Sequence, residues 1–379
     1  MLWLAWKTFF HEKGRLFLTL LGITVSSVLA LVEVSIYLGM MDNATSIIRK
    51  TPGDIWITSR NIKAFDFAPP FPEQRINQVN SHPEVVWAEK LQLTYAYLKL
   101  ADGGLEQVEV IGFNPDTDIG APWNMQVGQA ADVKGGRYMI MDLSSQQRLG
   151  KLEPDSLWEV SINNLSMFKL VGLSDGIKSF TTIPFVFMSY NEAQNLQAGG
   201  AKTGRTAYIV AKVKDPARAA AVAVELRARL RDNDVLTKQE FIDRTIRYWT
   251  IQTGMGMAFF LTALLAVLIG GAVVGQAIFA NTMEHLREYG TLKAIGARNR
   301  DIYVVIFGQA ATSAVLGYVP GLAITMMMQG TVSKLGVPLL LDWPLLATMF
   351  VVIMMTCLVS AWFSVRKIRV LDPVSVFRS

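Results

Sequence analysis

Four long, almost uncharged apolar runs limit what this chain can fold into more than any other feature. They cover residues 16–41, 250–283, 302–332 and 343–365, and the only charged residue among them is Glu33. A helix needs about 20 apolar residues to cross the roughly 30 Å hydrocarbon layer of a bilayer, and each run is long enough. The sequence therefore predicts a membrane α-helical protein with four transmembrane helices.

The first run is too long for the apolar core of a cleaved signal peptide, which has about 7–15 residues. No pair of small residues with cleavage-site spacing follows it before Asp42. We therefore expect the run to be a retained membrane anchor.

The distribution of lysine and arginine predicts the orientation. Segments 1–15, 284–301 and 366–379 are rich in cations, whereas the cations and acids of segment 42–249 balance. Positively charged loops stay in the cytoplasm, so both termini and the 284–301 loop are predicted to be cytoplasmic. The same bias explains the net charge of +5, so no nucleic-acid partner is expected. The protein is predicted to lie in the plasma membrane.

Segment 42–249 has the composition of a soluble α+β domain. A β-hairpin is predicted from residues 91–100 and 105–113, which flank the turn Ala101-Asp-Gly-Gly104. Further strands are predicted at 55–58, 138–141, 157–162, 168–171, 185–188 and 206–213. Helices are predicted from Ser189 to Gln197 and from the Asp215-Pro216 cap to about Arg231.

The end of this segment predicts a helical stalk. Thr237 and Glu240 have the spacing of a capping box, and apolar residues recur at helical spacing from Phe241 to Trp249. We expect this helix to continue unbroken into the second transmembrane helix, with Tyr248 and Trp249 in the headgroup layer. The alternative is a short helix next to the membrane.

The predicted cytoplasmic loop 284–301 is expected to form a short amphipathic helix, with Leu286, Tyr289, Leu292 or Lys293, and Ile295 on one face and Gly296 as its end. Such a helix suits docking into a groove on a partner, and it equally suits lying flat on the lipid surface. Composition leaves both interpretations open.

The run Arg287-Glu-Tyr-Gly-Thr-Leu-Lys-Ala-Ile-Gly-Ala297 resembles a motif of the MacB/FtsX superfamily, the type VII ABC-transporter permeases. Four spans with a large domain between the first two are similar to that superfamily's architecture, and Arg366-Lys-Ile-Arg-Val-Leu-Asp-Pro373 is similar to its basic tail. The opening Leu4-Ala-Trp-Lys-Thr8, with the following Lys13-Gly-Arg-Leu16 and Leu21-Gly-Ile23, resembles the DevC-like branch of exporters.

This resemblance implies that segment 42–249 is a MacB-like periplasmic domain and that the cytoplasmic loop contacts a separate ABC ATPase. The implied coupling residues are Glu284, Leu286, Arg287, Glu288, Tyr289, Gly290, Leu292, Lys293, Ile295 and Gly296. It also implies a homodimer that works with a periplasmic adaptor (a membrane fusion protein) and an outer-membrane channel. ATP and Mg²⁺ would bind to the partner ATPase, because this chain lacks the ATPase domain that MacB itself carries.

No catalytic, cofactor or metal site is expected in this chain. The nearest string to a P-loop, Gly199-Gly-Ala-Lys-Thr203, has alanine where the motif needs glycine, and the three histidines are scattered. We therefore predict a non-catalytic subunit.

Glu33 is the one ionisable residue well inside a predicted span, where burial costs at least about 2.5 kcal/mol. We expect it either to contact a cationic or metal-bearing lipophilic cargo, or to accept a hydrogen bond from a neighbouring helix. Gly271/Gly275 and Gly317/Gly321 have the spacing for close helix packing, within one chain or across a dimer.

The predicted function is that of an exporter permease that converts ATP hydrolysis into movement of the periplasmic domain and drives export or extraction of a hydrophobic cargo. The alternative is an FtsX-like transducer that regulates periplasmic peptidoglycan hydrolysis. The cell-division members typically have a smaller outer domain, which favours export.

Overall fold

The structure is a computed structural model that describes residues 13–162, 165–197, 204–284, 291, 298–334 and 336–368. The chain forms two compact units. The membrane unit comprises the described residues of Met1–Leu38, Met257–Ser333 and Pro338–Ser379. The inserted unit comprises Gly39–Gly256, with the described residues of Lys334–Val337.

The α-helices of the described chain are α1 (Lys13–Lys50), α2 (Arg75–Asn80), α3 (Gln146–Leu149), α4 (Tyr190–Gln197), α5 (Ala219–Arg229), α6 (Lys238–Arg247), α7 (Met255–Glu284), α8 (Asn299–Lys334) and α9 (Trp343–Ile368). Among them, α1, α7, α8 and α9 are long and apolar enough to cross a membrane. The prediction of four transmembrane helices is confirmed.

Small residues allow the membrane helices to pack closely. Gly317 of α8 lies directly against Ile23 of α1, where an added Cβ would come within 2.5 Å of the isoleucine Cβ. Gly271 of α7 faces Thr356 of α9 in the same way. Both glycine motifs therefore pack against helices of their own chain.

Polar side chains of these helices bond to the backbone of their neighbours. The Ser26 hydroxyl of α1 donates to the Ala266 carbonyl of α7 at 2.6 Å, and the Ser360 hydroxyl of α9 donates to the Gly271 carbonyl at 2.7 Å. Small residues and interhelical hydrogen bonds are the usual means of holding transmembrane helices together, because burial against lipid offers no hydrophobic gain.

The inserted unit is built on strands β1 (Ile55–Ser59), β2 (Phe71–Pro72), β3 (Val85–Lys99), β4 (Leu105–Phe113), β5 (Met125–Val127), β6 (Tyr138–Asp142), β7 (Leu157–Ser161), β8 (Leu165–Ser174), β9 (Phe185–Ser189), β10 (Arg205–Thr206), β11 (Tyr208–Val213) and β12 (Asn233–Thr237). The main sheet has the order β12-β1-β11-β3-β4-β9-β6-β8-β5. Its strands are mixed in direction, since β4/β9 and β6/β8 pair in parallel and the other neighbours are antiparallel.

Part of this sheet closes on itself. Strand β7 pairs with both β3 and β8, so β3, β4, β9, β6, β8 and β7 form a continuous ring. Inward-facing apolar residues, such as Leu98, Val110, Met141 and Phe168, fill the ring as one buried cluster. Closure leaves these strands without free edges, which removes the usual route to edge-to-edge aggregation.

The open part of the sheet is covered on both faces. In β1, Ile55 and Ile57 pack with the cluster that includes Leu226 of α5, whereas Trp56 points to the opposite cluster with Phe241 of α6. This alternation is the period of a β-strand buried on both sides. The α+β fold predicted for this segment is confirmed.

Most local predictions here agree with the structure. The hairpin β3/β4 has the predicted turn, Asp215 caps the turn that leads into α5 and accepts from the Ala217 N–H at 2.9 Å, and α4 ends at Gln197. Strand β12 was not predicted, because it is a short edge strand in which the polar residues Asn233, Asp234 and Thr237 hide the apolar alternation.

The prediction of an unbroken stalk into the second transmembrane helix is wrong. Helix α6 passes into a π-helix, Tyr248–Gln252, and the helical path then stops at Thr253 and Gly254 before α7 begins. Gly254 has φ +73°, a conformation that ends helices. The long continuous helix is instead α1, which extends nine residues past the predicted end of its span.

Candidate functional site

The predicted ATPase-coupling segment connects α7 to α8. Glu284 is the last residue of α7, and Arg298 directly precedes α8. The other predicted coupling residues lie outside the described residues: Leu286, Arg287, Glu288, Tyr289, Gly290, Leu292, Lys293, Ile295 and Gly296. Their role stays a prediction.

Glu33 lies within α1, in the part that belongs to the membrane unit. Its side chain is half-buried, and it has no hydrogen bond or ion pair with any residue that the structure describes. The predicted contact with cargo stays a prediction.

The segment between α6 and α7 is the most distinctive feature that the structure adds to the sequence, and we call residues 248–254 the joint. The capping box at the start of α6, the helix before the joint, is present: the Thr237 hydroxyl accepts from the Glu240 N–H at 3.2 Å, and the Glu240 carboxylate accepts from the Thr237 N–H at 2.8 Å. A π-helix lies inside the joint, and such bulges occur frequently at functional positions.

Trp249 packs the joint against the rest of the inserted unit. Its indole stacks on the Phe180 ring, with centroids 3.7 Å apart, and also packs against Phe67. The indole N–H donates to the Asp66 carboxylate at 3.3 Å, and the residue is only 8% exposed. The fold therefore packs this ring inside the protein, and its predicted level in the headgroup layer stays a prediction.

Behind Trp249 lie two buried carboxyl groups. Asp66 bonds to the indole, and Glu109 sits on β4 opposite Tyr95 of β3. One Glu109 carboxyl oxygen, Oε1, is fully buried and has no hydrogen-bond partner in the described part of the chain. The Tyr95 hydroxyl donates to the backbone carbonyl of Asp66 at 3.1 Å, which joins β3 to the Asp66 loop.

Burial controls the charge of this pair. Desolvation raises the pKa of Asp66 to about 6, while hydrogen bonds from its own backbone and from Trp249 oppose the rise. Desolvation and then the nearby Asp66 charge raise the pKa of Glu109 well above its usual range. Asp66 therefore changes its charge close to pH 6.

The sequence analysis did not single out Asp66 or Glu109. A signal for Glu109 existed, since it interrupts the apolar run Val108–Ile111 of a strand that is otherwise buried. Asp66 lies in a loop with no regular pattern. Among the described residues, no group of three histidine, cysteine, aspartate or glutamate side chains could hold a metal ion.

Two family models match the chain. The MacB-like periplasmic core domain matches residues 16–229, and the FtsX-like permease C-terminal family matches residues 257–373. The first match covers α1 and nearly all of the inserted unit up to the end of α5. The second covers α7, the loop with the predicted coupling residues, α8 and α9.

Curated relatives include the pyoverdine export ATP-binding/permease protein PvdT of Pseudomonas entomophila, 27% identical over 128 residues, which are 34% of this chain and 20% of that protein. PvdT of Pseudomonas fluorescens is 28% identical over 117 residues, 31% of this chain and 18% of that protein. The chain thus spans about a fifth of the length of the curated relatives it matches.

Solved structures similar to this chain include the periplasmic region of MacB from Actinobacillus actinomycetemcomitans, at 14% identity and a TM-score of 0.37, covering 53% of this chain and 95% of that one. The extracellular domain of YknZ, an ABC-type transporter from Gram-positive bacteria, has 10% identity and a TM-score of 0.34, with coverage of 49% and 98%.

Proposed function

The chain belongs to the MacB/FtsX-type family of ABC permeases, and from that premise we propose that it is the transmembrane subunit of an ABC exporter. ATP hydrolysis by a separate ATPase would move the inserted unit and so drive export or extraction of a hydrophobic cargo. The PvdT relatives are pyoverdine export proteins, which favours this role over regulation of a hydrolase.

One observation carries the proposal: the inserted unit lies in the chain between the first and second membrane helices, and the basic loop 284–301 lies between the second and third. With four spans, loops that follow the first and second helices emerge on opposite sides of the membrane. The loop would therefore receive force on the cytoplasmic side, while the inserted unit responds outside.

The proposed path of the force follows the chain. Binding of the ATPase to the face formed by Leu286, Tyr289 and Leu292 would displace the attached end of α7. The joint directly precedes helix α7. There Gly254 interrupts the helix, and Trp249 stacks on Phe180 of the inserted unit. Helix α1 provides the other link, as one rod from Lys13 to Lys50.

We further propose a homodimer in the inner membrane with both termini cytoplasmic, assisted by a periplasmic adaptor and an outer-membrane channel. The chain itself would be non-catalytic and would bind no cofactor, with ATP and Mg²⁺ held by the ATPase. Glu33, half-buried in α1, would meet the cargo.

Co-purification with the ATPase tests the coupling role. Replacing Leu286, Tyr289 and Leu292 together by alanine is expected to abolish retention of the ATPase, because the docking face loses its apolar side chains. The matched control replaces three exposed leucines of the inserted unit by alanine: Leu105, Leu157 and Leu165. Full retention by the loop variant, at normal membrane levels, contradicts the proposal.

Cysteine labelling tests the orientation. Cys357 is the only cysteine, so Cys357→Ala provides a background for single-cysteine variants. A membrane-impermeant maleimide applied to spheroplasts is expected to label Asp102→Cys in the β3/β4 turn and to leave Glu288→Cys unlabelled until the membrane is opened. Labelling of Glu288→Cys from outside means that the proposed orientation is inverted.

A further inference from the structure

The inserted unit contains a polar pocket of about 570 Å³ between α5, β12 and α6. We call it the arginine pocket because five arginines line it: Arg60, Arg227, Arg231, Arg244 and Arg247. Three carboxylates also line it, those of Asp234, Glu240 and Asp243, which leaves two positive charges in excess.

Two of the arginines form ion pairs with acidic side chains in the pocket wall. Arg227 bonds to Glu240 at 2.6 Å, and its Nε donates to the Val235 carbonyl on β12 at 2.6 Å. Arg244 pairs with Asp234, which also accepts from the Asn61 N–H at 3.1 Å. The third acid, Asp243, accepts from the Gln239 amide at 2.9 Å.

The remaining three arginines give the pocket its character. Arg60, Arg231 and Arg247 are exposed and have no ion pair or hydrogen bond among the residues that the structure describes. Guanidinium groups converging on a concave surface are suited to an anion with several oxygens, which they bind with paired, charge-assisted hydrogen bonds.

Contacts within the inserted unit place this pocket beside the expected membrane boundary. Helix α6 runs alongside the end of α1: the Lys238 ammonium donates to the Thr51 carbonyl at 2.9 Å, and further along the Thr250 hydroxyl lies 3.8 Å from the Met41 sulfur. Met41 ends the first apolar run. Arg247 is three residues, or less than one helical turn, before Thr250.

We propose that the arginine pocket binds the phosphate of an anionic phospholipid headgroup in the outer leaflet. The polar layer adds roughly 5–8 Å to each side of the hydrocarbon core, so a headgroup phosphate lies a few ångströms beyond the level that Thr250 and Met41 mark, on the side of Arg247. The excess of two positive charges favours a lipid with net negative charge over a zwitterionic one. Bound lipid would hold α6 at the membrane surface, a role that goes beyond the proposed coupling to an ATPase.

Native mass spectrometry of the purified full-length protein tests this proposal. Titration with phosphatidylglycerol is expected to show one site that phosphatidylcholine fills at least about tenfold more weakly. In the double variant Arg231→Gln/Arg247→Gln, affinity for phosphatidylglycerol at that site is expected to fall about tenfold or more, since each arginine supplies charge-assisted bonds. The matched control, Arg229→Gln, removes an exposed arginine from α5 that does not line the pocket, and its affinity is expected to be unchanged.

Two further arms identify the ligand. Excess inorganic phosphate is expected to leave phosphatidylglycerol bound, and a polyglutamate peptide is expected to bind more weakly than the lipid. Displacement of the lipid by inorganic phosphate, tighter binding of the peptide, or equal lipid binding by the double variant and the control each overturns the proposal. Arg231→Lys/Arg247→Lys keeps the charge without the forked donors and is expected to give intermediate affinity.

Discussion

Two of the connections between the inserted unit and the membrane helices, α1 and the segment that contains the joint, differ in secondary structure. Helix α1 is one unbroken helix from Lys13 to Lys50. The other connection consists of α6, a π-helix and the break at Thr253 and Gly254, after which α7 begins. One connection is the continuous helix α1, which we call the rod, and the other contains the joint.

Side-chain contacts reinforce this difference. At the end of α1, the Arg49 guanidinium bonds to the Asp42 carboxylate and also to the Thr45 hydroxyl, so side chains link the final turns. In the joint, the Thr253 hydroxyl turns back to bond the Trp249 carbonyl, and nothing lies within 4 Å of the place where Gly254 would carry a Cβ. A continuous helix can transmit displacement along its axis. A break in a helix lets the two segments beside the break change their angle to each other.

The largest expected effect comes from removing the anchor of the joint. Trp249→Ala is expected to lower the free energy of unfolding of the inserted unit by about 3–5 kcal/mol, because the ring is buried and stacks on Phe180. Denaturant unfolding of the full chain in detergent, followed by Trp fluorescence, measures it. Trp249→Phe retains a ring and is expected to cost much less. An unchanged midpoint for the alanine variant contradicts the role of Trp249 as the anchor.

Interrupting helix α1 is expected to lower the free energy of unfolding by about 3 kcal/mol or more. Asn43→Pro removes a backbone N–H from the interior of α1 and places the ring against the preceding turn. We expect loss of stability in the same unfolding assay and loss of export by the assembled complex.

The matched control is Asn43→Ala. The Asn43 side-chain amide nitrogen is buried without a partner in the described part of the chain, so this change is expected to be neutral or slightly stabilising. Equal stability and export of the proline and alanine variants means that a continuous α1 is not required.

The buried acid next to the joint gives a pH dependence. Asp66 has a pKa of about 6 in the folded chain against 3.8 for an ordinary aspartate, so the folded state holds the proton more tightly. Its contribution to stability is therefore fully present below about pH 4 and is lost as the pH rises through 6, by at most about 3 kcal/mol.

Asp66→Asn keeps an acceptor for the Trp249 indole but cannot ionise. We expect the variant to be more stable than the natural chain at pH 7.5 and to lose the slope between pH 4 and 6, as measured by unfolding at several pH values. A slope that persists in the variant places its origin in another group.

The smallest effect compares the same substitution in both connections. Gly254→Ala places a Cβ on a residue with φ +73° and is expected to cost about 1–2 kcal/mol. Gly14→Ala, in the first described turn of α1 with open space around the added Cβ, is expected to stabilise by about 0.5–1 kcal/mol. Thermal unfolding of each variant measures the difference. Effects of the same sign contradict the distinction between joint and rod.

Sequence patterns predicted the parts of this fold that depend on local chemistry. The four apolar runs, the β3/β4 hairpin with its Asp-Gly turn and the capping box at Thr237 each follow from residues close together in the chain. The family resemblance likewise came from short contiguous motifs, chiefly the run 287–297, together with the order of the spans.

The parts that sequence reasoning missed depend on contacts between distant segments. Closure of the ring requires β7 to meet β3, which lies far earlier in the chain. The buried environment of Asp66 arises because α6 brings Trp249 beside a loop from the start of the domain. The joint was not predicted because the apolar periodicity of Phe241–Trp249 leads directly into the second apolar run. Periodicity does not show that Gly254 has a left-handed backbone conformation.

The most direct test measures spin-label distances across both connections in the assembled complex, with Cys357→Ala as the background. One doubly labelled variant carries Leu29→Cys and Lys50→Cys on α1, and the other carries Gln239→Cys and Phe260→Cys on either side of the joint; all four positions are exposed. Each pair is 21 residues apart, about 32 Å along a continuous helix. Trapping the ATPase with nucleotide is expected to shift the distance across the joint and leave the α1 distance unchanged. A shift within α1, or no shift across the joint, contradicts the account.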